Sequence, residues 1–301
     1  MRYLLTGGTG FIGKALCGRL AAGGAGLAVL TRDPRAPRGR LPAGTRLIRS
    51  LAELDPAEAF DAVINLAGEP IADARWTPAR KRLLEQSRIA LTEDLLAWIA
   101  GASTRPRLLL SASAVGFYGD QGERVLDEQS APQVEYQHTL CRRWEEAALG
   151  AEALGLRTVR LRIGLVVGAG GGFLARMLPP FRLGLGGPIG NGRQWMSWIH
   201  RDDVIGLIEW LLARDDASWV YNATAPEPVE SRGFARTLGT VLHRPALLPL
   251  PAPVLRLALG EMSCLLLGGQ RVLPARALAE GYRFRYPSLE SALREATTPI
   301  A

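Results

Sequence analysis

Thr6-Gly7-Gly8-Thr9-Gly10-Phe11-Ile12-Gly13 is the stretch on which the fold turns. The apolar run Tyr3-Leu4-Leu5 precedes it, and Phe11–Ala22 follows with helical periodicity. The glycines therefore sit between a strand and a helix. Their spacing is Gly7-x-x-Gly10-x-x-Gly13. The first permits a tight turn, the second lets the backbone approach a diphosphate, and the third lets helix and strand pack closely. The helix N-terminus then offers unpaired N–H groups and the positive end of its dipole to phosphate. The segment predicts dinucleotide binding through Gly7, Thr9, Gly10, Phe11, Ile12 and Gly13. A tight turn holding no ligand is the plain alternative.

Outward from the loop, Leu27–Leu30 is a second buried run, and it ends at Thr31-Arg32. NAD-selective sites place a carboxylate at this strand end. A guanidinium there suits a 2′-phosphate through paired charge-assisted hydrogen bonds. Thr31 and Arg32 thus predict NADP(H), while Asp33 keeps NAD open and a solvated loop cation is the other reading of Arg32. Arg32, Arg35, Arg38 and Arg40 form a focused basic cluster.

Further along, Ala62–Leu66 and Leu108–Ser111 read as strands and Ile89–Ile99 as a helix. Leu140–Leu154 reads as another helix, followed by a strand over Thr158–Val167. Short apolar runs separated by helices define the α/β class, as a doubly wound parallel Rossmann sheet with right-handed crossovers. After Gly168 the glycines cluster and the alternation weakens. Residues 1–167 form the expected NADP-binding domain, with residues 203–225 returning to it through a helix over Asp203–Ala213. Residues 168–202 and 226–301 form a smaller C-terminal substrate lobe, with a helical piece over 246–298. Pro179-Pro180 is expected to stop a helix, and Pro245–Pro253 to act as a linker.

A chain of 301 residues buries roughly 75% of its unfolded surface, so no staple is required. The net charge of +7 is carried almost wholly by scattered arginines, with no recognition helix or aromatic RNA-binding motif, which argues against nucleic acid. Cys17, Cys141 and Cys264 are odd in number and widely spaced. They exclude a disulfide framework and a zinc site, predict no metal, and fit a reducing, cytoplasmic setting. No signal peptide is expected, because the first strand runs straight into the glycine loop. Ala246–Gly269 is apolar but carries three prolines, Arg256 and Glu261, so no membrane span is expected. The expected partner is a small-molecule substrate, and a homodimer is left open.

The chain resembles an extended short-chain dehydrogenase. The resemblance rests on the glycine loop, Asn65-Leu66-Ala67-Gly68, Ser111-Ala112-Ser113-Ala114-Val115-Gly116-Phe117-Tyr118-Gly119 and Trp198-Ile199-His200-Arg201-Asp202-Asp203-Val204. Gly68-Glu69-Pro70-Ile71, Arg75-Trp76-Thr77, Ser87-Arg88 and Leu183–Gly190 narrow it to the atypical epimerase-family proteins (YfcH-like). Ala279-Glu280-Gly281-Tyr282-Arg283-Phe284 is similar to that subgroup's C-terminal domain of unknown function. The resemblance implies cofactor contacts from Thr31, Arg32, Leu66, Ala67, Gly68, Arg88 and Val166. It also implies an oxidoreductase or nucleoside-diphosphate-sugar epimerase-like activity on a small polar substrate.

Standard members use Tyr-x-x-x-Lys plus a serine, the lysine lowering the tyrosine pKa while the tyrosine transfers a proton. Here the lysines are Lys14 and Lys81, and Gly10 and Thr77 stand four residues before them. The pair is absent. Aligning Trp144-Glu145 with the family helix puts Gln137 at the tyrosine position and Cys141 at the lysine position, with Tyr136 one residue out of register. A shift of one residue turns a helical side chain by about 100°. Ser113, Tyr118 and His138 are the catalytic candidates: Ser113 has a strand-end serine as its structural reading, His138 a helix-surface histidine, and Tyr118 stands as a candidate proton donor. Cys141 reads first as a small buried filler. Glu69, Arg75, Trp76, Arg193, Gln194 and Trp195 are further pocket candidates, and His200 reads as structural. The absent pair favours a second hypothesis, a non-catalytic NADP-binding redox sensor or regulatory protein.

Overall fold

The computed structural model describes residues 1–33, 41–217 and 219–298. Arg35, Arg38 and Arg40 of the basic cluster lie outside the described residues. The first half of the chain runs β1 (Arg2–Thr6), α1 (Phe11–Ala22), β2 (Gly26–Leu30), β3 (Arg46–Ile48), β4 (Ala62–Asn65), α2 (Pro78–Glu85), α3 (Leu91–Gly101), β5 (Leu108–Ala114), β6 (Val125–Leu126) and α4 (Tyr136–Leu149). The second half begins with β7 (Arg157–Ile163), β8 (Leu165–Val167), α5 (Gly172–Arg182), β9 (Trp195–Met196), β10 (Trp198–His200), α6 (Arg201–Leu212) and β11 (Val220–Ala223). It ends with β12 (Val229–Glu230), α7 (Ser231–Leu242), α8 (Ala252–Leu259), α9 (Cys264–Leu267), β13 (Arg271–Val272), α10 (Ala275–Ala279) and α11 (Leu289–Thr297).

Seven strands form one sheet in the order β11-β7-β5-β4-β1-β2-β3, every pair parallel. Alternation along each strand sends neighbouring side chains to opposite faces. Leu5 joins Leu16, Leu20, Val204 and Ile208 on the face covered by α1 and α6. Leu4 joins Val63, Leu95, Ile99 and Ala148 on the face covered by α3 and α4. Burial on both faces explains why β1, β2 and β4 are nearly continuous apolar runs. A separate core of Leu174, Phe181, Trp198, Phe234, Leu238 and Leu293 ties α5, β10, α7 and α11 together.

Several boundaries differ from the sequence expectation. The helix expected over Ile89–Ile99 begins earlier: α2 runs into a π-helical turn, Gln86–Ala90, and then α3. The helix expected over Leu140–Leu154 spans Tyr136–Leu149, so Gln137 and His138 already belong to it. The single strand expected over Thr158–Val167 breaks at Gly164 into β7 and β8. A Cβ at Gly164 would lie 2.2 Å from the Ser197 carbonyl oxygen. β8 leaves the main sheet to pair with β10. Pro179-Pro180 sits inside α5 rather than stopping it, because Leu174 and Phe181 on either side are buried in the second core. The proline-rich segment after Pro245 is no free linker: the N–H groups of Leu248 and Leu250 donate to Gly186 and Pro188. β3, only three residues long, pairs with β2 and is too short to give a periodic signal in the sequence.

Candidate functional site

In a parallel sheet all strand C-termini leave one edge, and the crevice opens where the strand order reverses. Here that point lies between β1 and β4. The loops after β1, β2 and β4 carry Gly7–Gly13, Thr31-Arg32 and Leu66–Gly68, and so converge at that edge.

The first loop is fixed by what it lacks. Gly7 adopts φ +68°, and a Cβ there would lie 2.6 Å from the Leu66 carbonyl carbon and oxygen. A Cβ at Gly13 would lie 2.2 Å from the Gly7 oxygen. Side chains at either position would force the turn open. Gly10 is the N-cap of α1, no side chain among the described residues caps the helix, and its first turn holds no acidic residue. The leading amides of α1 are thus uncapped by any side chain, in a positive local field.

Phe11 places its ring in a slot lined by glycines. A Cβ at Gly171 would lie 2.5 Å from the ring, and the Arg201 guanidinium sits 5.0 Å from its centroid. What Phe11 offers a ligand is therefore its backbone. The cluster Gly168–Gly172 is explained by this packing. Val166 lies on β8, and its carbonyl oxygen approaches Gly172 in the same region. Beneath the crevice, Thr6 Oγ1 donates to Asn65 Oδ1 at 2.6 Å and accepts from the Ala67 amide at 3.1 Å. Asn65 Nδ2 donates to Thr92 Oγ1 at 2.9 Å. Thr6 and Thr92 went unnoticed in the sequence, where a hydroxyl at a strand end gives no distinctive signal.

Arg32 stands at the end of β2 with its side chain 89% exposed, and its Nη1 lies 3.1 Å from Glu69 Oε2. The loop after β4 is held from the π-helical turn. Arg88 Nη2 donates to the Glu69 carbonyl at 2.9 Å, and Ser87 Oγ accepts from the Glu69 amide at 3.0 Å. A Cβ at Gly68 would lie 3.0 Å from the Arg88 guanidinium carbon, and that guanidinium packs 5.3 Å from the Trp144 ring. Single π turns inside helices recur at functional sites, and this one delivers two side chains to the loop.

The catalytic candidates occupy a different environment. Ser113 Oγ donates to Glu145 Oε1 at 2.7 Å. Glu145 is gripped by Arg162 through Nε (2.8 Å) and Nη2 (2.9 Å). Arg162 Nη1 donates to Tyr118 at 2.9 Å, and the Tyr118 hydroxyl donates to Asn222 Oδ1 at 2.8 Å. Tyr118 is wholly buried, and burial pushes its phenol up to about 12. His138 is buried too, with Nδ1 2.6 Å from the Phe117 carbonyl oxygen. Arg162 and Glu145 were missed in the sequence. The available signal was an arginine inside an apolar strand, Thr158-Val159-Arg160-Leu161-Arg162, since a charge buried on a central strand demands a partner.

Cys141 is buried, and burial raises its thiol to about 11, which leaves little thiolate. Gln137 contacts Cys264 of the C-terminal region, Sγ to Oε1 3.8 Å. Tyr136 turns toward Trp76, and its hydroxyl is buried with no hydrogen-bond partner among the described residues. Arg75 donates to the Leu257 carbonyl at 3.2 Å. The guanidinium stacked on Trp195 is Arg271, at 4.3 Å, rather than the neighbouring Arg193. Gln194 Nε2 bonds the Ile189 and Leu266 carbonyls. His200 caps α6 and lies 2.7 Å from Glu295 of α11, tying β10 to the C-terminal helix. Among the described residues no group of His, Cys, Asp and Glu is arranged to hold a metal. No helix among them is long and apolar enough to cross a membrane.

A seven-stranded parallel sheet with a glycine turn at its reversal point defines a Rossmann-type dinucleotide-binding α/β protein. The NAD dependent epimerase/dehydratase family matches residues 3–223, and a domain of unknown function, DUF1731, matches residues 250–296. The chain belongs to this epimerase family. It is 41% identical over 300 residues to the chloroplastic SDR39U1 homolog of Arabidopsis thaliana, covering 98% of this chain and 86% of that one. It is 39% identical to the epimerase family protein YfhF of Bacillus subtilis, covering 98% and 97%. Among solved structures, human epimerase family protein SDR39U1 with NADPH superposes with a TM-score of 0.89 at 36% identity, covering 98% and 99%.

Proposed function

We propose that this chain binds NADP(H) and is an oxidoreductase or nucleoside-diphosphate-sugar epimerase-like enzyme acting on a small polar substrate. The observation that carries the reading is the crevice itself, where a Cβ at Gly7 or Gly13 would collide with backbone and where α1 begins without a side-chain cap. The NADPH of the human relative supports the same cofactor here. In this reading the α1 amides of Phe11, Ile12 and Gly13 hold the diphosphate and Arg32 meets the 2′-phosphate. Thr31, Leu66, Ala67 and Gly68 face the adenosine side, and Arg88 and Val166 complete the contact set. When bound, the nicotinamide supplies hydride transfer to or from a substrate carbon. The lobe formed by residues 168–202 and 226–301 closes over the substrate and excludes water. Ser113, at the C-terminal end of β5, together with Tyr118 or His138, is the candidate for an atypical proton donor.

One observation favours a second reading, a non-catalytic NADP-binding sensor or regulator. Gln137 and Cys141 stand where the proton-transfer pair belongs, the Ser113 and Tyr118 hydroxyls are engaged in buried hydrogen bonds, and His138 Nδ1 is bonded to the Phe117 carbonyl. Calorimetry with NADPH and NADH tests the shared claim, and absent affinity for both overturns it. A screen of sugar nucleotides, ketones and enones with NADPH, read at the nicotinamide absorbance, separates the readings. Turnover in any class selects the enzyme, and none with tight cofactor binding selects the sensor.

A further inference from the structure

Glu69 carries two guanidinium groups on one carboxylate. Its Oε1 lies 3.0 Å from Arg80 Nη1, and its Oε2 lies 3.1 Å from Arg32 Nη1. The two arginines are unlike. The Arg80 side chain is only 13% exposed and also donates to the Pro70 carbonyl, so it is part of the loop's framework. The Arg32 side chain is 89% exposed and reaches Glu69 by one nitrogen. Glu69 itself cannot wander. Its amide is held by Ser87 and its carbonyl by Arg88, both from the π-helical turn. Hydrogen bonding from Arg80, ahead of the charge of Arg32, holds its carboxyl below the ordinary carboxylate value, so it stays ionised at neutral pH.

A guanidinium has five donors in a planar fork. With Nη1 on Glu69, the edge formed by Nε and Nη2 is the one suited to a bidentate phosphate contact. A long exposed arginine otherwise spreads over many rotamers, and restricting it before binding removes that cost from the binding step.

We infer that Glu69, braced by Arg80, is a positioning residue that stations Arg32 for the 2′-phosphate and so sets the preference of this site for NADP(H) over NAD(H). The inference rests on the reading of Arg32 given above. Glu69 touches the cofactor only through Arg32. A carboxylate at the end of β4 thereby serves the opposite purpose from the carboxylate that NAD-selective sites carry at the end of β2.

The test is calorimetric, with NADPH and NADH as separate probes and circular dichroism to verify folding. Glu69→Gln is expected to weaken NADPH binding about tenfold, equivalent to roughly 1.4 kcal/mol, and to leave NADH within about twofold. Arg80→Gln is expected to weaken NADPH in the same direction, by about threefold, since the brace is lost while the carboxylate stays. In an Arg32→Ala background, Glu69→Gln is expected to change neither affinity. Tighter NADPH binding by Glu69→Gln would make the carboxylate a competitor of the phosphate and overturn the inference. Equal weakening of both nucleotides would make it a mere loop anchor and overturn the inference as well. So would an effect that persists without Arg32. Arg32→Ala alone tests the underlying reading: an unchanged NADPH-to-NADH ratio there removes Arg32 as the phosphate reader, whatever Glu69 does.

Discussion

The ends of β1 and of β5 lie on the same edge of one sheet, yet the walls built around them are made of different materials. At Gly7, Gly10 and Gly13 the wall is main chain, with side chains excluded by contacts as short as 2.2 Å for an imagined Cβ. At Ser113, Glu145, Arg162 and Tyr118 the wall is a closed network of side chains whose donors and acceptors bond one another. The first offers its polar groups outward; the second turns them inward. Cofactor recognition and proton transfer are therefore separable in this fold. One depends on backbone geometry that the whole sheet enforces, whereas the other depends on individual side chains, and Gln137 and Cys141 stand at those positions here.

The largest test of this contrast strikes the network. Arg162→Met leaves the Glu145 carboxylate buried, with Arg160 3.6 Å away. Breaking such a pair costs about 3–5 kcal/mol, read as a lowered urea midpoint. NADPH affinity measured while the variant is folded is expected to stay close to wild type. Loss of binding in the folded variant would join the two walls into one unit.

Next comes the cradle. In Gly13→Ala the new methyl meets the Gly7 oxygen, and relief of overpacking costs up to about 3 kcal/mol. If the loop absorbs it, NADPH binding weakens by roughly a hundredfold in calorimetry. Unchanged affinity would break the cradle assignment.

Alkaline pH acts on buried thiols and phenols throughout the molecule, Cys17, Cys264 and Tyr136 as well as those beside the side-chain wall. Burial raises the Cys141 thiol from 9.0 to about 11 and the Tyr118 phenol from 10.0 to about 12. Both are neutral when protonated, and both folded values exceed the unfolded ones. Their stabilisation is complete below pH 9 and disappears as pH rises through 11 and 12. Each contributes up to about 2–3 kcal/mol. Urea midpoints are expected to fall between pH 9 and 12, and a flat profile there would place these groups in contact with water.

The smallest effect sharpens the comparison. Ser113→Ala removes one of the bonds to Glu145 and costs about 1 kcal/mol in urea unfolding. Once a substrate is in hand, loss of turnover at that modest cost would move Ser113 from the network to the chemistry.

Much of the glycine turn and its surroundings was legible because the determinants are local. Glycine spacing, flanking periodicity and a charge at the end of β2 are all contained in about thirty consecutive residues, and a turn that excludes Cβ atoms must be written with glycine. The sheet followed from apolar runs that need cover on both faces. Element ends were less legible: the π-helical turn at Gln86–Ala90 and the break at Gly164 depend on contacts with residues distant in sequence.

The sequence by itself determined the Rossmann sheet, the glycine turn and the absence of Tyr-x-x-x-Lys, because each is a matter of residue type at short range. Tertiary structure alone decided that Arg162 meets Glu145 across 17 positions, that Tyr118 reaches Asn222 across 104, and that Arg32 reaches Glu69 across 37. The physical reason is that a buried charge states only that it needs a partner. Which of many carboxylates or amides supplies it is chosen by the packing of strands and helices, and that choice leaves no periodic trace along the chain.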